Sequence, residues 1–349
     1  MAATAATRAR VRDDLARVVH RSSGLPAFAR DLGRTLRRAV PFEGVCLLTV
    51  DPATLLPTAE IVQDGLPPAA RERLTEIELG EPDVNKFAAL AGAPVPAASL
   101  SAATGGELDR SRRQREVRGP NGFADELRAV LTGPTGSWGT LTLLREARRP
   151  HFTAAEVGLV ASLAATLADG VRRAVLVDAG VGDGPDDTGF LVLAADNTVE
   201  LANPAAERWV EELSAPGPAG PLPVAIRSVA ARTRLVAAGD RNVLASARIR
   251  TRAGRWVVVR GSLAGPDQVV VLLEAARPAE LAEVVTDAYG FTERERMITT
   301  LVARGLSTAE IAARLHLSAY TVQDHLKAIF DKSGTSSRGQ LVSRLFLDR

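Results

Sequence analysis

Four polar side chains near the C-terminus share one face of a predicted helix and could bond to the edges of base pairs. Tyr320, Gln323, Asp324 and Lys327 follow the i, i+3, i+4, i+7 spacing of such a face. The Gln323 amide can pair with adenine N6 and N7, and the Lys327 ammonium can donate to guanine O6 and N7. The Asp324 carboxylate can either accept from cytosine N4 or pair with Lys327 and only position its ammonium.

The opposite face of the same helix is apolar. Val322, Leu326, Ile329 and Phe330 form one stripe that must pack against other helices. Any helix at a protein surface has one polar and one apolar face, so this pattern alone does not identify the partner. The neighbouring helices are needed to identify the partner.

Local start and stop signals predict four short helices in this region. Three residue pairs have the capping-box spacing, in which a hydroxyl and an acid or amide satisfy backbone N–H groups reciprocally. These pairs are Thr292 with Glu295, Ser307 with Glu310, and Ser337 with Gln340. Gly305 and Gly334 are expected to end the first and third helices in the left-handed conformation. The predicted helices cover residues 293–303, 308–315, 319–333 and 338–347, with a turn of only three residues, 316–318, before the third.

Residues 290–349 closely resemble the LuxR-type helix-turn-helix of bacterial transcription regulators. The motifs that carry the resemblance are Thr292-x-Arg294-Glu295, Leu301-Val302-Ala303-x-Gly305-Leu306-Ser307, Glu310-Ile311-Ala312, Leu315-x-Leu317-Ser318, Thr321-Val322, His325-Leu326 and Lys332-x-Gly334. The resemblance implies a dimeric domain that binds double-stranded DNA with its third helix in the major groove. Members of the family usually have Lys or Ser in place of Gln323 and an uncharged residue in place of Asp324. These two departures leave the operator sequence open.

A second set of residues is expected to contact DNA phosphates. Hydroxyls and free N–H groups at helix N-termini favour phosphate binding. His325 lies between the polar face and the apolar stripe, and it contacts either phosphate or a group within the domain. Nine Lys and Arg against six Asp and Glu give residues 290–349 a charge of +3, which suits a domain that binds tightly only in two copies. The phosphate-contacting candidates are Ser307, Thr308, Ser318, Thr321, His325, Lys332 and Arg338.

Two apolar stripes are predicted to bring two copies of the chain together. In the fourth helix of the C-terminal segment, Leu341, Leu345 and Phe346 lie on one side. In a longer helix predicted over residues 154–177, Leu163 and Leu167 belong to a stripe with the 3-4 spacing of a coiled coil. We therefore expect a homodimer whose protomers pair through both helices.

Length and composition limit the remaining functions. A chain of 349 residues has room for two or three domains, and its net charge of +2 does not identify a partner. The single cysteine indicates a reducing cytoplasm, and the N-terminus lacks the apolar core of a signal peptide. No apolar run longer than a strand is evident, so no membrane span is predicted. Cys46 lies among apolar neighbours and His20 and His151 are isolated, so no metal, haem or other cofactor is predicted.

Residues 25–178 resemble a GAF domain, a small sensory module of mixed α and β structure. A helix, a strand, its hairpin partner, a further strand and a long capped helix are predicted at Leu25–Val40, Val45–Val50, Leu56–Gln63, Ser137–Leu144 and 154–177. The resemblance implies a pocket on one face of the sheet for a small-molecule ligand or a partner protein. A basic loop containing Arg110, Arg112, Arg113, Arg115 and Arg118 either covers this pocket, binds an anion or, as the favoured interpretation, is a solvated loop.

Residues 189–276 resemble a PAS domain. Two strands joined at Asp196-Asn197, a helix that opens at Asn203-Pro204, and three later strands follow the usual order of that fold. The later strands are expected at Val243–Thr251, Trp256–Arg260 and Gln268–Leu273. This domain is expected to act either as a sensor or as a spacer that holds a dimer together.

The predicted chain is therefore a multi-domain cytoplasmic regulator of transcription. Its parts are an N-terminal extension (1–24), an α+β GAF-like domain (25–178), an α+β PAS-like domain (189–276) and an all-α four-helix LuxR-type domain (290–349), with linkers at 179–188 and 277–289. Two alternatives are a hydrolase with sensory domains and a response regulator phosphorylated at Asp51. No nucleophile–base pair, carboxylate pair or metal cluster supports an enzyme, and no acidic pair after an earlier strand supports a phosphoacceptor.

Overall fold

The chain folds into two compact units in the computed structural model. The structure describes residues 4–21, 24–177, 187–214, 221–237, 244–265, 268–277, 280–281, 284, 286–287, 289–343 and 345. The N-terminal unit contains the described residues up to Ala275 except Pro134–Gly136. The C-terminal unit contains those three residues and the described residues from Ala276 onward. Both predicted linkers and Phe346 lie wholly or partly outside the described residues.

The first half of the N-terminal unit is built on an antiparallel sheet of five strands in the order β2-β1-β5-β4-β3. The strands are β1 (Gly44–Val50), β2 (Pro57–Gln63), β3 (Ala97–Ser99), β4 (Phe123–Gly133) and β5 (Gly136–Glu146). The helices are α1 (Ala5–Arg21), α2 (Leu25–Leu36), α3 (Pro68–Gly80), α4 (Phe87–Ala91), α5 (Leu100–Ala103) and α6 (Ala154–Val177). We call this sheet the first sheet.

The hairpin and the end of the first sheet follow the sequence-based prediction. Strands β1 and β2 pair antiparallel, with Leu48 opposite Glu60. Helix α6 begins at a capping box, since Thr153 Oγ1 accepts from the Glu156 amide at 3.3 Å and Glu156 Oε2 accepts from the Thr153 amide at 2.8 Å. Strand β4 was not predicted, because Asp125, Glu126 and Arg128 give it the appearance of a loop.

Helix α6 is part of the core of one chain, and this corrects the predicted dimer stripe. The side chains of Leu163 and Leu167 are 2% and 0% exposed within a single protomer. The helix packs against β4 and α1, and a Cβ atom at Gly170 would lie 2.4 Å from the Phe28 ring. The 3-4 spacing therefore reflects packing within the protomer, and Leu163 and Leu167 are not available to a second copy.

Helix α6 also bears on the prediction that the chain has no membrane span. Residues Ala154–Val175 are long and apolar enough to cross a membrane by length and composition. About half of this segment is buried inside the protein. A core helix meets the same criterion, and the packing of α6 against β4 and α1 is that of a core helix.

The second half of the N-terminal unit contains another antiparallel sheet, the second sheet, with the order β7-β6-β10-β9-β8. Its strands are β6 (Gly189–Leu193), β7 (Val199–Ala202), β8 (Ser246–Arg250), β9 (Trp256–Leu263) and β10 (Val269–Ala275), and its helices are α7 (Pro204–Leu213) and α8 (Val224–Ala237). The predicted order of two strands, helices and three strands occurs. Asn197 has the positive φ of 64° that the hairpin turn requires, and Asn203 caps α7 by accepting from the Ala206 amide at 2.8 Å.

Buried ion pairs join the two sheets into one unit. The Asp51 carboxylate is 2% exposed, lies 2.7 Å from Arg248 Nη2, and accepts from the Arg248 amide at 2.8 Å. Arg227, on α8, lies 3.2 Å from Glu60 on β2. Asp51 is therefore fully engaged in structural contacts, which argues against the phosphoacceptor alternative.

The sequence favoured a solvated loop for the five arginines between Arg110 and Arg118. In the structure only part of this loop is exposed. Arg110 is exposed, but Arg113 and Arg118 are 1% and 4% exposed and both pair with the buried Glu126 of β4. Burial would raise the pKa of Glu126, but the charges of Arg118 and Arg113 hold it below its usual range. The two buried arginines lie next to a cavity that is described below.

From Ala276 onward, the regular structure of the described residues in the C-terminal unit is helical. Its helices are α9 (Glu293–Ala303), α10 (Thr308–Leu315), α11 (Ala319–Ser333) and α12 (Arg338–Val342). The first three have the predicted bounds. The predicted end of the fourth at residue 347 lies outside the described residues.

Candidate nucleic-acid interface

The predicted caps fix the beginnings of the helices in the C-terminal unit. Thr292 with Glu295 and Ser307 with Glu310 form complete capping boxes, in which both reciprocal hydrogen bonds are present. At the third predicted box, Ser337 accepts from the Gln340 amide at 3.2 Å, but the Gln340 side chain accepts from Ser336 instead. That capping box is therefore only half formed.

A left-handed residue makes the turn between α10 and α11 short. His316 ends α10 with a φ of 54° and a ψ of 46°, a conformation that non-glycine residues adopt infrequently. The Leu317 amide then donates to Ala312 O at 2.9 Å, and Ser318 caps α11 by accepting from the Thr321 amide at 3.0 Å. The three-residue turn of a helix-turn-helix results.

Packing of the apolar stripe sets the orientation of α11. Val322, Leu326 and Ile329 are 0%, 6% and 0% exposed, and they share one core with Ile311 of α10 and residues of α9 and α12. Phe330 is half-buried against the same core. The prediction for this stripe is confirmed, and the opposite face of α11 must point outward.

The outward face carries the predicted base-reading residues. Tyr320 is 72% exposed, and Gln323, Asp324 and Lys327 are also exposed. The side chains of Gln323, Asp324 and Lys327 have no hydrogen-bond or ion-pair partner within the described part of the chain. Asp324 therefore does not position Lys327 through an ion pair in this structure. The face offers an amide, a carboxylate and an ammonium to an external partner.

Two of the predicted phosphate-contacting hydroxyls, those of Ser307 and Ser318, already serve as helix caps. Ser307 Oγ accepts from the Glu310 amide, and Ser318 Oγ accepts from Thr321. Ser307 and Ser318 remain exposed, and His325 is half-buried. A capping hydroxyl keeps its own proton, and Oγ of Ser307 can still donate that proton to a phosphate. The hydroxyls of Ser318 and Thr321 lie 2.9 Å apart and share one hydrogen bond.

Two of the predicted phosphate-contacting cations also bond to groups within the C-terminal unit. Lys332 Nζ lies 2.6 Å from Glu295 Oε2 and donates to Gly290 O at 3.2 Å. Arg338 donates to Leu306 O at 2.6 Å and to Thr308 Oγ1 at 2.8 Å. The Thr308 hydroxyl accepts one of these bonds and keeps its own proton. The sequence could have indicated the Lys332 contact only through Glu295, whose role in the capping box places it at the start of α9.

The predicted pairing surface of α12 is also part of the core. Leu341 and Leu345 are 0% and 4% exposed and belong to the same cluster as Ile298 and Ile329. A fourth helix as short as α12 buries its apolar side against α9 to complete the domain. These two leucines are therefore not a dimer surface in this protomer.

The comparison with protein families identifies this unit. Residues 290–345 match the family described as bacterial regulatory proteins, luxR family. The chain is 44% identical over 52 residues to the response regulator Rre1 of Synechocystis, covering 15% of this chain and 22% of that protein. It is 31% identical over 123 residues to the probable transcriptional regulatory protein SgaR of Hyphomicrobium methylovorum, covering 32% of this chain and 56% of that protein.

These relatives are spanned only in part, since the chain covers about a fifth to a half of their lengths. Among solved structures, Escherichia coli SdiA aligns over 95% of this chain and 94% of its own, with 13% identity and a TM-score of 0.36. A score of this size does not assign the fold of the N-terminal unit. The family match and the geometry agree on the C-terminal unit alone: residues 290–345 form a helix-turn-helix domain of the luxR family of bacterial regulatory proteins.

Proposed function

We propose that the chain regulates transcription by binding operator DNA as a homodimer. The observation that carries this proposal is the exposed polar face of α11, whose Gln323, Asp324 and Lys327 side chains have no partner within the described residues. A helix behind a three-residue turn, with its apolar face fully buried, presents such a face to the major groove in helix-turn-helix proteins. We propose that the chain acts in the cytoplasm and has no enzymatic activity.

The proposed contacts divide into two groups. Tyr320, Gln323, Asp324 and Lys327 read base edges. Phosphates are contacted by the residues at the starts of α10 and α11 and by one residue on the flank of α11. This second group consists of Ser307, Ser318, Thr321 and His325. Thr308, Lys332 and Arg338 stabilise the helices that carry this second group, through the hydrogen bonds already described.

We further propose that the N-terminal unit is the sensory and dimerising part. The order of elements supports a GAF-like half around the first sheet and a PAS-like half around the second. A small-molecule ligand or a partner protein bound there would control the availability or the spacing of the two DNA-binding units. A ligand shifts such an equilibrium only as far as it binds one arrangement more tightly than the other.

Selection of duplex DNA by the full chain tests the proposal. The chain should enrich a sequence with two half-sites about 10 base pairs apart. Its affinity should fall steeply with salt, because each phosphate contact releases a counterion. A chain that lacks residues 290–349 should bind no duplex. If deletion of these residues left DNA binding intact, the proposed role of α11 would be wrong.

Asp324 provides a sharper test of base reading, with Asp331 on the same helix as the matched control. Asp324→Ala should change the preferred base at one position of each half-site if the carboxylate accepts from cytosine. Asp331→Ala removes the same charge from an exposed position nearer the end of α11 and should leave the preferred sequence unchanged. An equal gain in affinity for all duplexes in both variants would mean that Asp324 only repels phosphate.

A further inference from the structure

A cavity with a volume of about 320 Å³ lies inside the N-terminal unit, on one face of the first sheet. Its floor is formed by β1, β2 and β5, and α3 covers it. Val224 and Leu235 of α8 also line it, so both halves of the unit contribute to its wall. The volume is at the lower end of the range for small-molecule sites.

Cationic side chains outnumber carboxylates in the wall of the cavity. Glu60 and Glu78 are the acidic residues that line it, and Glu126 and Asp83 lie behind Arg113. The lining as described contains six cationic and two acidic side chains. The six are Arg71, Lys86, Arg113, Arg118, Arg128 and Arg232. Burial lowers the pKa of Arg118 and Lys86, which means that the cavity as it stands disfavours their charged forms.

Several polar atoms in this wall are buried without a hydrogen-bond partner among the described residues. Arg128 is 2% exposed, and its Nε and Nη1 atoms are in this state, although its Nη2 donates to Glu78 at 2.6 Å. The Nε atom of Arg118 and the Oγ1 atom of Thr140 also lack a partner. Native proteins satisfy nearly all such buried groups, so an acceptor is expected in the cavity.

The cavity is apolar away from these donors. In the first sheet, β5 and β1 separate β4, which carries Arg128, from β2. Leu48 and Val50 on β1 and Val62 on β2 line the part of the cavity farther from β4. Cys46, expected in the core, is half-buried in the same floor. Burial raises the pKa of its thiol to about 12, so the thiol is neutral and adds to the apolar wall.

We infer that this cavity binds a small anionic amphiphile, whose carboxylate or phosphate group contacts Arg118, Arg128 and Thr140. Its apolar body lies along Leu48, Val50 and Val62. The guanidinium groups supply charge-assisted hydrogen bonds to the anion, and the Thr140 hydroxyl supplies a neutral one. The inference goes beyond the proposed function, since it names the class of ligand for the sensory unit and concerns binding that does not require DNA.

Isothermal titration of the full chain with four probes tests the inference. Decanoate and decyl phosphate carry the two candidate anions, decan-1-ol has no charge, and decyltrimethylammonium has the opposite charge. We expect one anion per chain to bind at least about tenfold more tightly than decan-1-ol, because charge-assisted bonds are stronger than neutral ones. The tighter of the two anions identifies the headgroup. Equal affinity for decan-1-ol and decanoate, or no binding of either anion at about 1 mM, would overturn the inference.

Variants of the wall locate the binding. Arg128→Gln should lower the affinity for the anion by roughly tenfold or more. Thr140→Val should lower this affinity by roughly threefold. Thr140→Val is the safer variant, since the hydroxyl has no partner whose loss would impair folding. Arg110→Gln is the control, because this arginine belongs to the same basic loop but is 65% exposed in its side chain. Undiminished anion binding by a folded Thr140→Val or Arg128→Gln variant would refute this site.

The titration also keeps this inference separate from the proposed function. If the chain binds the anion but selects no duplex DNA, the proposed function fails and the ligand assignment stands. If the chain selects an operator but binds none of the anions, the ligand assignment fails and the proposed function stands.

Discussion

The Nζ atom of Lys332 lies 2.6 Å from Oε2 of Glu295, and this contact joins the last turn of α11 to the first turn of α9. The same carboxylate oxygen accepts from the Thr292 amide at 2.7 Å and completes the capping box there. One carboxylate therefore caps one helix and anchors the end of another. The link adds to the packing of the apolar stripe in holding the last turn of α11 against α9.

The link predicts a pH dependence of stability in the C-terminal unit. Burial would raise the pKa of Glu295, but Lys332 and the Thr292 amide hold it below its usual value of 4.5. A group with a lowered folded pKa contributes its full stabilisation above the unfolded pKa and loses it as the pH falls through the folded pKa. Below pH 4.5, the protection of α9 and α11 amides against hydrogen exchange, relative to the unfolded chain at the same pH, should fall more in the wild-type chain than in Glu295→Gln. Parallel pH profiles would contradict this.

The two lysines of α11 should separate affinity from stability. Lys327→Ala should weaken operator binding by about 1–3 kcal/mol and leave exchange rates in α11 unchanged, since Lys327 has no internal partner among the described residues. Lys332→Ala should lower the free energy of opening of α11, measured by hydrogen exchange, by about 1 kcal/mol. Fluorescence anisotropy with the selected duplex measures the affinities. If Lys327→Ala bound as tightly as the wild type, the assigned orientation of α11 would be incorrect.

Ser307→Asp should distinguish the capping role of this residue from its proposed phosphate contact. Asp is as good an N-cap as Ser, so α10 should keep its stability. The new carboxylate should repel phosphate and lower DNA affinity by roughly tenfold at low salt, with a smaller loss as salt increases. Ser307→Ala is the converse control, since it should cost about 1 kcal/mol of stability and affect DNA less. Equal DNA affinity for the Asp variant and the wild type would remove Ser307 from the interface.

Asp51→Asn should destabilise the N-terminal unit by about 3 kcal/mol, because it removes the buried carboxylate that pairs with the mostly buried Arg248. All three tryptophans, Trp138, Trp209 and Trp256, belong to this unit, so denaturant unfolding followed by tryptophan fluorescence reports on it alone. Asp64→Asn is the control, since its side chain is 75% exposed and should contribute less than about 0.5 kcal/mol. Similar unfolding midpoints for the two variants would show that the Asp51 contact adds no stability.

The helices of the C-terminal unit could be predicted from sequence because their signals are local. The hydroxyls of Thr292 and Ser307 lie three residues from the acids that complete the boxes, and the stripe from Val322 to Ile329 repeats with the helical period. Such signals need no knowledge of distant residues. The outward face of α11 followed directly from the stripe.

The groups that individual side chains contact could not be predicted in the same way. Lys332 and Arg338 have the charge that a phosphate contact requires, but they bond to residues 37 and 32 positions away. Leu163 and Leu341 have the spacing of an exposed seam, but the protomer buries both. The composition of a side chain does not reveal whether its partner lies in the same chain or in another molecule.

Strand β4 shows the same limit inside the N-terminal unit. Glu126 and Arg128 are 0% and 2% exposed in the middle of a sheet, where charged residues are rare. Their burial depends on Arg113, which lies 13 residues before Glu126, and on Glu78, which lies 50 residues before Arg128. The sequence pattern expected of a buried strand is apolar. It therefore misses a strand whose charged residues are paired with residues from other parts of the chain.

Asp51 and Arg248 are separated by 197 residues, and this separation has a consequence for synthesis of the chain. At about 5–20 residues per second, a ribosome adds Arg248 roughly 10–40 s after Asp51. During that interval the Asp51 carboxylate has only water and its own turn as partners, and α8 is not yet available to close the cavity. The first half of the N-terminal unit therefore cannot complete its packing while it is being translated. A nascent chain that stalls before β8 lacks the partner of Asp51 and remains accessible to chaperones and proteases.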